Sequence, residues 1–248
     1  MILRRLSANL KQQQWTAIGI ELAIVVLGVF IGMQVSNWNE DRVDHAAYVA
    51  ALGRLSDEID TNLAYLDGFD VDMDNDLATG SKALTVLQSC VHSDENRRTV
   101  DEGLDTIRGT AGLHPRRIAL NEITSNPRLL AQQNRTERQR FSELLYYFGV
   151  LQQTADLAER RPEENGMENN PLLRVGASYG FSTKYYGFDW TSTRRKLELG
   201  VPMSEACHDN PLIKAFFNWE RIQGILPPIS RKWRVELNAT QSLIGQRR

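Results

Sequence analysis

WTAIGIELAIVVLGVFIGMQVSNW, residues 15–38, carries one charge, Glu21, in the 22 residues between its two tryptophans. Wound as an α-helix, those residues span ~33 Å, enough to cross the ~30 Å hydrocarbon layer of a bilayer. Trp15 and Trp38 stand where indole rings anchor a helix at the two headgroup regions. Arg4, Arg5 and Lys11 precede the segment, and Glu40, Asp41, Arg42 and Asp44 follow it. The positive-inside bias then predicts a cytoplasmic tail over residues 1–14, a transmembrane helix over 15–38 and an extracytoplasmic domain over 39–248. A cleaved signal peptide would need a shorter apolar run with a small-x-small site behind it, and this run leads instead into Gln34-Val35-Ser36-Asn37-Trp38. The remaining alternative is a helix buried in a soluble core.

At ~100° per residue, Ala17, Glu21, Gly28, Gly32 and Asn39 share one stripe, and Gly28 and Gly32 form a GxxxG pair. Such a stripe predicts a helix-packing face for a second copy or a membrane-protein partner. Its alternative is chance spacing of glycines, with Glu21 reaching the nearby headgroups.

The runs Leu10-Lys-Gln-Gln-Gln-Trp15, Ile24-Val-Val-Leu-Gly-Val-Phe-Ile-Gly32 and Gln34-Val-Ser-Asn-Trp-Asn-Glu40 resemble an uncharacterised family of bacterial single-pass membrane proteins. Its mark is an apolar helix ending in a QVxNWNE-like run. A weaker likeness continues through Asn121-Glu122, Ser125-Asn126-Pro127, Leu129-Leu130 and the segment from Arg138 to Tyr147. The resemblance implies a domain of unknown function held at the bacterial inner membrane, with the N-terminus in the cytoplasm and the domain in the periplasm. It brings no catalytic residue.

Beyond the span the pattern is mainly α. Neither Gly nor Pro occurs from Met33 to Leu52, so the membrane helix is expected to continue outward as a stalk ending near Asp67-Gly68. Tyr48, Leu52, Leu55, Ile59, Leu63 and Leu66 form its apolar stripe, against a polar face of Asp57, Glu58, Asp60 and Asn62. Further helices are predicted over residues 74–91, from a Thr99-x-x-Glu102 capping box to about Gly109, through Ile118 and Ile123, and over 136–160. Asn126-Pro127 starts another turn. Residues 162–170 are a loop, and 172–190, aromatic and glycine-rich without a helical period, predict a short β-hairpin or an ordered loop. Helices resume over 211–225 and 229–244, completing a helical bundle.

A composition with 24% charged and 42% hydrophobic residues suits one folded domain plus an anchor. The net charge of -2 and the scattered arginine pairs exclude the concentrated basic field of a nucleic-acid binder. In an oxidising compartment Cys90 and Cys207 read as a disulfide, with two free thiols as one alternative. A metal site from Cys90-x-His92 and Cys207-His208 is another, although neither spacing is that of a zinc knuckle.

Gly176-Ala177-Ser178-Tyr179-Gly180 fits the G-x-S-x-G nucleophile elbow, with Asp189 and His208 following in hydrolase order. An elbow needs a strand before the serine and a helix after it, and Phe181 to Trp190 is not helical, so a glycine-rich turn is the plainer reading. Asp70, Asp72, Asp74 and Asp76 lack the glycine and glutamate of a calcium loop and read as a solvated acidic helix start. His45 and His114 read as isolated side chains. No cofactor motif is present. These features predict a membrane-anchored interaction or scaffold protein, with a periplasmic sensory module as the alternative and a serine hydrolase as a remote one.

Overall fold

The computed structural model describes residues 15–160, 167–185 and 188–246. The expected cytoplasmic tail and the first part of the 162–170 loop lie outside the described residues. One helix, α1 (Trp15–Ser89), runs for 75 residues, ~110 Å at 1.5 Å per residue. Near its N-terminus an 18-residue window has a mean hydropathy of 2.3 and none of it is buried. Ile20, Leu22, Val26, Phe30 and Trp38 are each more than half exposed, so this is not a core helix of the chain. It is long and apolar enough to cross a membrane, and the rest of the chain is a mainly helical domain with one antiparallel hairpin.

The domain closes on α1 almost at the end of the apolar stretch. Gln132 Nε2 donates to Asp41 Oδ1 at 2.9 Å, and Arg128 lies 3.9 Å from Asp44. Asp41 is three residues from Trp38, a rise of ~5 Å, so the expected stalk is a helix covered from one side almost from the end of the apolar stretch. Tyr48, Leu52, Leu55, Ile59 and Leu66 are buried as the stripe predicts. Asn62 departs from it: it is buried, its Nδ2 donating to Arg116 O and its Oδ1 accepting from Arg116 N, both at 2.7 Å. Glu58 accepts from the backbone N–H of Ala119 and Leu120, capping a helix whose own N-cap side chain makes no such bond.

The break expected at Gly68 does not occur, and the helix expected over 74–91 is the same α1. A glycine inside a helix costs ~1 kcal/mol, and the packing of the last third of α1 offsets it. There Met73, Ala83 and Leu87 are buried and α2 (Asp94–Ile107) folds back alongside. The acidic run from Asp70 to Asp76 is thus mid-helix. A Cβ built on Gly103 of α2 would stand 2.2 Å from Ala83 Cβ and 3.0 Å from a Phe216 ring atom. Ala83 has no torsion by which to yield. Gly103→Ala is therefore expected to destabilise the domain by at least ~1 kcal/mol, although alanine is the better helix former. Urea unfolding checks this, and a variant as stable as the parent would remove the close-contact account.

α2 starts at Asp94 rather than Thr99, because Ser93 accepts the Asn96 N–H and caps it. α3 (Ile118–Ser125) and α4 (Pro127–Gln132) follow, the latter capped by Asn126 with Pro127 in its first turn. α5 (Arg135–Arg160) opens on a reciprocal box in which Asn134 and Glu137 each bond the other's backbone N–H. α6 (Met203–Ala206), α7 (Asn210–Gln223) and α8 (Leu226–Gly245) complete the bundle, α7 being capped by Asp209. Trp233 of α8 is fully buried beside Phe148 of α5, ring centroids 5.9 Å apart.

β1 (Leu173–Tyr185) pairs antiparallel with β2 (Phe188–Leu199), from Leu173 opposite Leu199 to Tyr185 opposite Phe188, with an irregularity between Val175 and Ser178. The hairpin is longer than the residues 172–190 expected from sequence. Its base is tied to α2: Arg97 donates to the carbonyls of Leu199 and Val201, Asp101 accepts the Leu199 N–H, and Arg108 donates to Arg195 O. Cys90 and Cys207 are bonded, Cα atoms 5.4 Å apart, joining the end of α1 to α6. Cys90 has φ +52°, the left-handed conformation in which a chain commonly leaves a helix.

Candidate functional site

Between the outer half of α1, α2 and the hairpin lies an open cleft of about 1480 Å³. Strand alternation builds one wall: odd residues of β1 and even residues of β2 share a face, and this face puts Tyr179, Phe181, Arg194 and Lys196 on the cleft. Tyr65, Phe69, Asp72 and Asp76 line it from α1, Arg98, Asp101, Asp105 and Arg108 from α2, and Trp219 from α7. The Arg194 guanidinium carbon stands 3.6 Å from the Phe181 ring centroid, and Lys196 Nζ is 5.9 Å from that of Tyr179. Cations over aromatic faces make a surface that is apolar and charged together.

The charges are ordered by direct bonds. Tyr179 Oη donates to Asp105 at 2.8 Å and accepts from Arg108 at 3.3 Å. Burial, reinforced by the bond to Asp105, holds the Tyr179 phenol above its ordinary pKa. Burial also raises Asp101, outweighing the Leu199 N–H and the nearby Arg97. Asp76 is raised first by burial and then by the neighbouring Asp72. The cleft therefore holds groups whose ionised forms are disfavoured by burial.

No protein-family model, curated protein or solved structure matches the chain.

Gly28 and Gly32 lie on the exposed part of α1, where an added Cβ on either would meet nothing within 4 Å, and Glu21 is exposed on the same helix. The stripe is thus uncovered by the chain's own domain. Trp38 is exposed, with Arg42 5.8 Å from its ring, and the Trp15 side chain lies outside the described residues. With the two sulfurs bonded to each other, Cys90 and Cys207 offer no thiolate to a metal beside His208.

Ser178 lies within β1, opposite Arg195, not at a strand-to-helix turn. Asp189 is opposite Lys184, six residues further along that strand or ~20 Å, so the geometry assembles no Ser178-Asp189-His208 triad. Gly176 has a local reason: a Cβ there would fall 2.2 Å from the Glu198 carboxylate, which crosses the strand to pair with Arg174.

His114 is not isolated. Its Nε2 is 3.0 Å from Glu159 Oε2, and Asp156 completes a three-residue group at one end of the cleft. The sequence signal was the Asp156-x-x-Glu159 spacing, which sets two carboxylates on one helix face.

Proposed function

We propose that the chain is a single-pass bacterial inner-membrane protein whose periplasmic domain is a binding module, with the cleft between α1 and the hairpin receiving a segment of a partner protein. In this reading the N-terminus lies in the cytoplasm, which the charge asymmetry around residues 15–38 supports. The Cys90–Cys207 bond supports an oxidising compartment for the domain. The observation that carries the reading is the continuity of α1, which is unbroken from the apolar window to Asp76 on the cleft. Whatever settles against Tyr65, Phe69 and Asp72 touches the same rod that enters the bilayer, ~40–50 Å from Trp38 at 1.5 Å per residue. The same continuity favours a sensory role as the second reading, because occupancy then acts on the element that crosses the membrane.

A photoreactive residue placed at Phe181 in living cells is expected to crosslink a partner chain, and one at Gln139, on α5 away from the cleft, is not. Equal labelling from both positions, or none from Phe181, would refute the cleft as the binding surface. A C-terminal alkaline phosphatase fusion should be active in the same cells, and an inactive fusion would overturn the orientation.

A further inference from the structure

We propose that His114, Asp156 and Glu159 form a site for one divalent transition-metal ion of the zinc class. The donors are one imidazole nitrogen and two carboxylates, a set that suits zinc and its neighbours better than calcium or magnesium. One ligand atom from each of the three lies within 4.8 Å of the others. At zinc bond lengths of ~2.0–2.1 Å, two ligands of a tetrahedral ion stand ~3.3 Å apart. His114 Nε2 and Glu159 Oε2, now 3.0 Å apart, need to separate by only a few tenths of an ångström to receive it.

The surroundings are those of a held site. Gln152 Nε2 donates to Asp156 Oδ1 and to Leu113 O, each at 2.7 Å, and stands 3.3 Å from His114 Nδ1. One amide thus fixes a ligand on α5 and the loop that carries the imidazole, the part that outer groups play in metal sites. From the other side, Tyr65 Oη donates to Gly112 O and accepts the His114 N–H, both at 3.2 Å. Gly112 leaves the space in which the ligands meet: a Cβ there would lie 2.5 Å from the Glu159 carboxyl and 2.6 Å from His114 Nε2. The His114 and Glu159 side chains are each 29% exposed, so a further coordination position opens to water on the cleft. The assignment stands independently of what fills the cleft.

The test uses the full chain in detergent, disulfide intact and freed of metal by chelation, titrated with Zn²⁺ alone. One ion per chain is expected, with His114→Gln and Glu159→Gln each weakening it at least tenfold, and His208→Gln, beside the disulfide, leaving it unchanged. In the unaltered protein labelled at histidine nitrogen, the His114 ring resonances should shift with zinc while those of His45, His92 and His208 stay in place, a readout that needs no variant to fold. Absence of saturable binding, His114→Gln binding within threefold of the parent, or a shift confined to another histidine overturns the proposal.

Discussion

Replacing Cys90 or Cys207 by serine is expected to cost the domain ~4 kcal/mol. The bond joins residues 117 apart in sequence, and in the chain-entropy description closing a loop of that length removes ~5 kcal/mol of unfolded-state freedom. Native disulfides deliver somewhat less on average, hence the lower figure. What the bond holds is specific. It clamps the end of α1 to α6, the short helix between the hairpin and α7, where Met203, Ala206 and Cys207 are buried. The hairpin base enters the same region through Arg97 and Asp101. The thermal unfolding midpoint of the helical domain should fall by ~10 °C or more in Cys90→Ser, and reducing agent should lower the parent by the same amount. A loss under ~1 kcal/mol would mean that the surrounding contacts hold this junction without the bond.

Features set by neighbouring residues were legible in the sequence. The apolar window, the Asn126-Pro127 start of α4, the stripe from Tyr48 to Leu66 and the existence of a hairpin near Tyr179 all follow from local composition or period. The departures share one cause, a distant contact that overrides a local signal. Gly68 reads as a stop, yet α1 continues because α2 and α7 cover what lies beyond it. Asn62 reads as a surface amide, yet the backbone of Arg116, 54 residues away, takes both of its bonds. Thr99-x-x-Glu102 has the spacing of a box, but Ser93 supplies the cap nearly two turns earlier.

The candidate site was the least legible part. The cleft draws Phe69, Asp105, Tyr179 and Trp219 from four separate elements, and no local pattern reports that they meet. Arg194 read as scattered surface charge until the register of β2 set it, with Lys196, on one face with Phe181 and Tyr179. His114 read as solitary because its partners lie 42 and 45 residues downstream on α5.

Glu236→Leu is expected to cost ~3 kcal/mol at neutral pH, although the new side chain is apolar and its site is buried. Glu236 is 5% exposed on α8 and accepts from Arg140 of α5 and from Lys232 one turn before it. Removing the carboxylate leaves the Arg140 guanidinium, itself largely covered, with the more exposed Glu143 as its remaining ion-pair partner among the described residues, and an uncompensated charge in such a place costs ~3–5 kcal/mol. The partial rescue by Glu143 sets the expectation at the low end. Because the cost lies in the orphaned partner, Arg140→Met in the same chain should restore most of the loss, and a double variant no better than Glu236→Leu would show that packing is responsible. The pH dependence has a definite sign. Burial alone would raise the Glu236 carboxyl, but the hydrogen bonds from Lys232 and Arg140 outweigh it and hold the group below its ordinary 4.5. A depressed folded-state value contributes stability above the unfolded pKa, and that contribution is lost as pH falls below ~4.5 through the folded value. Asp76 and Asp101, raised on folding, act with the opposite sign, so the comparison must be parent against variant at each pH. The gap between parent and Glu236→Leu should hold steady from neutrality down to about pH 5 and narrow as the solution is acidified below ~4.5, and a gap of constant size throughout would disprove the ionic origin of the effect.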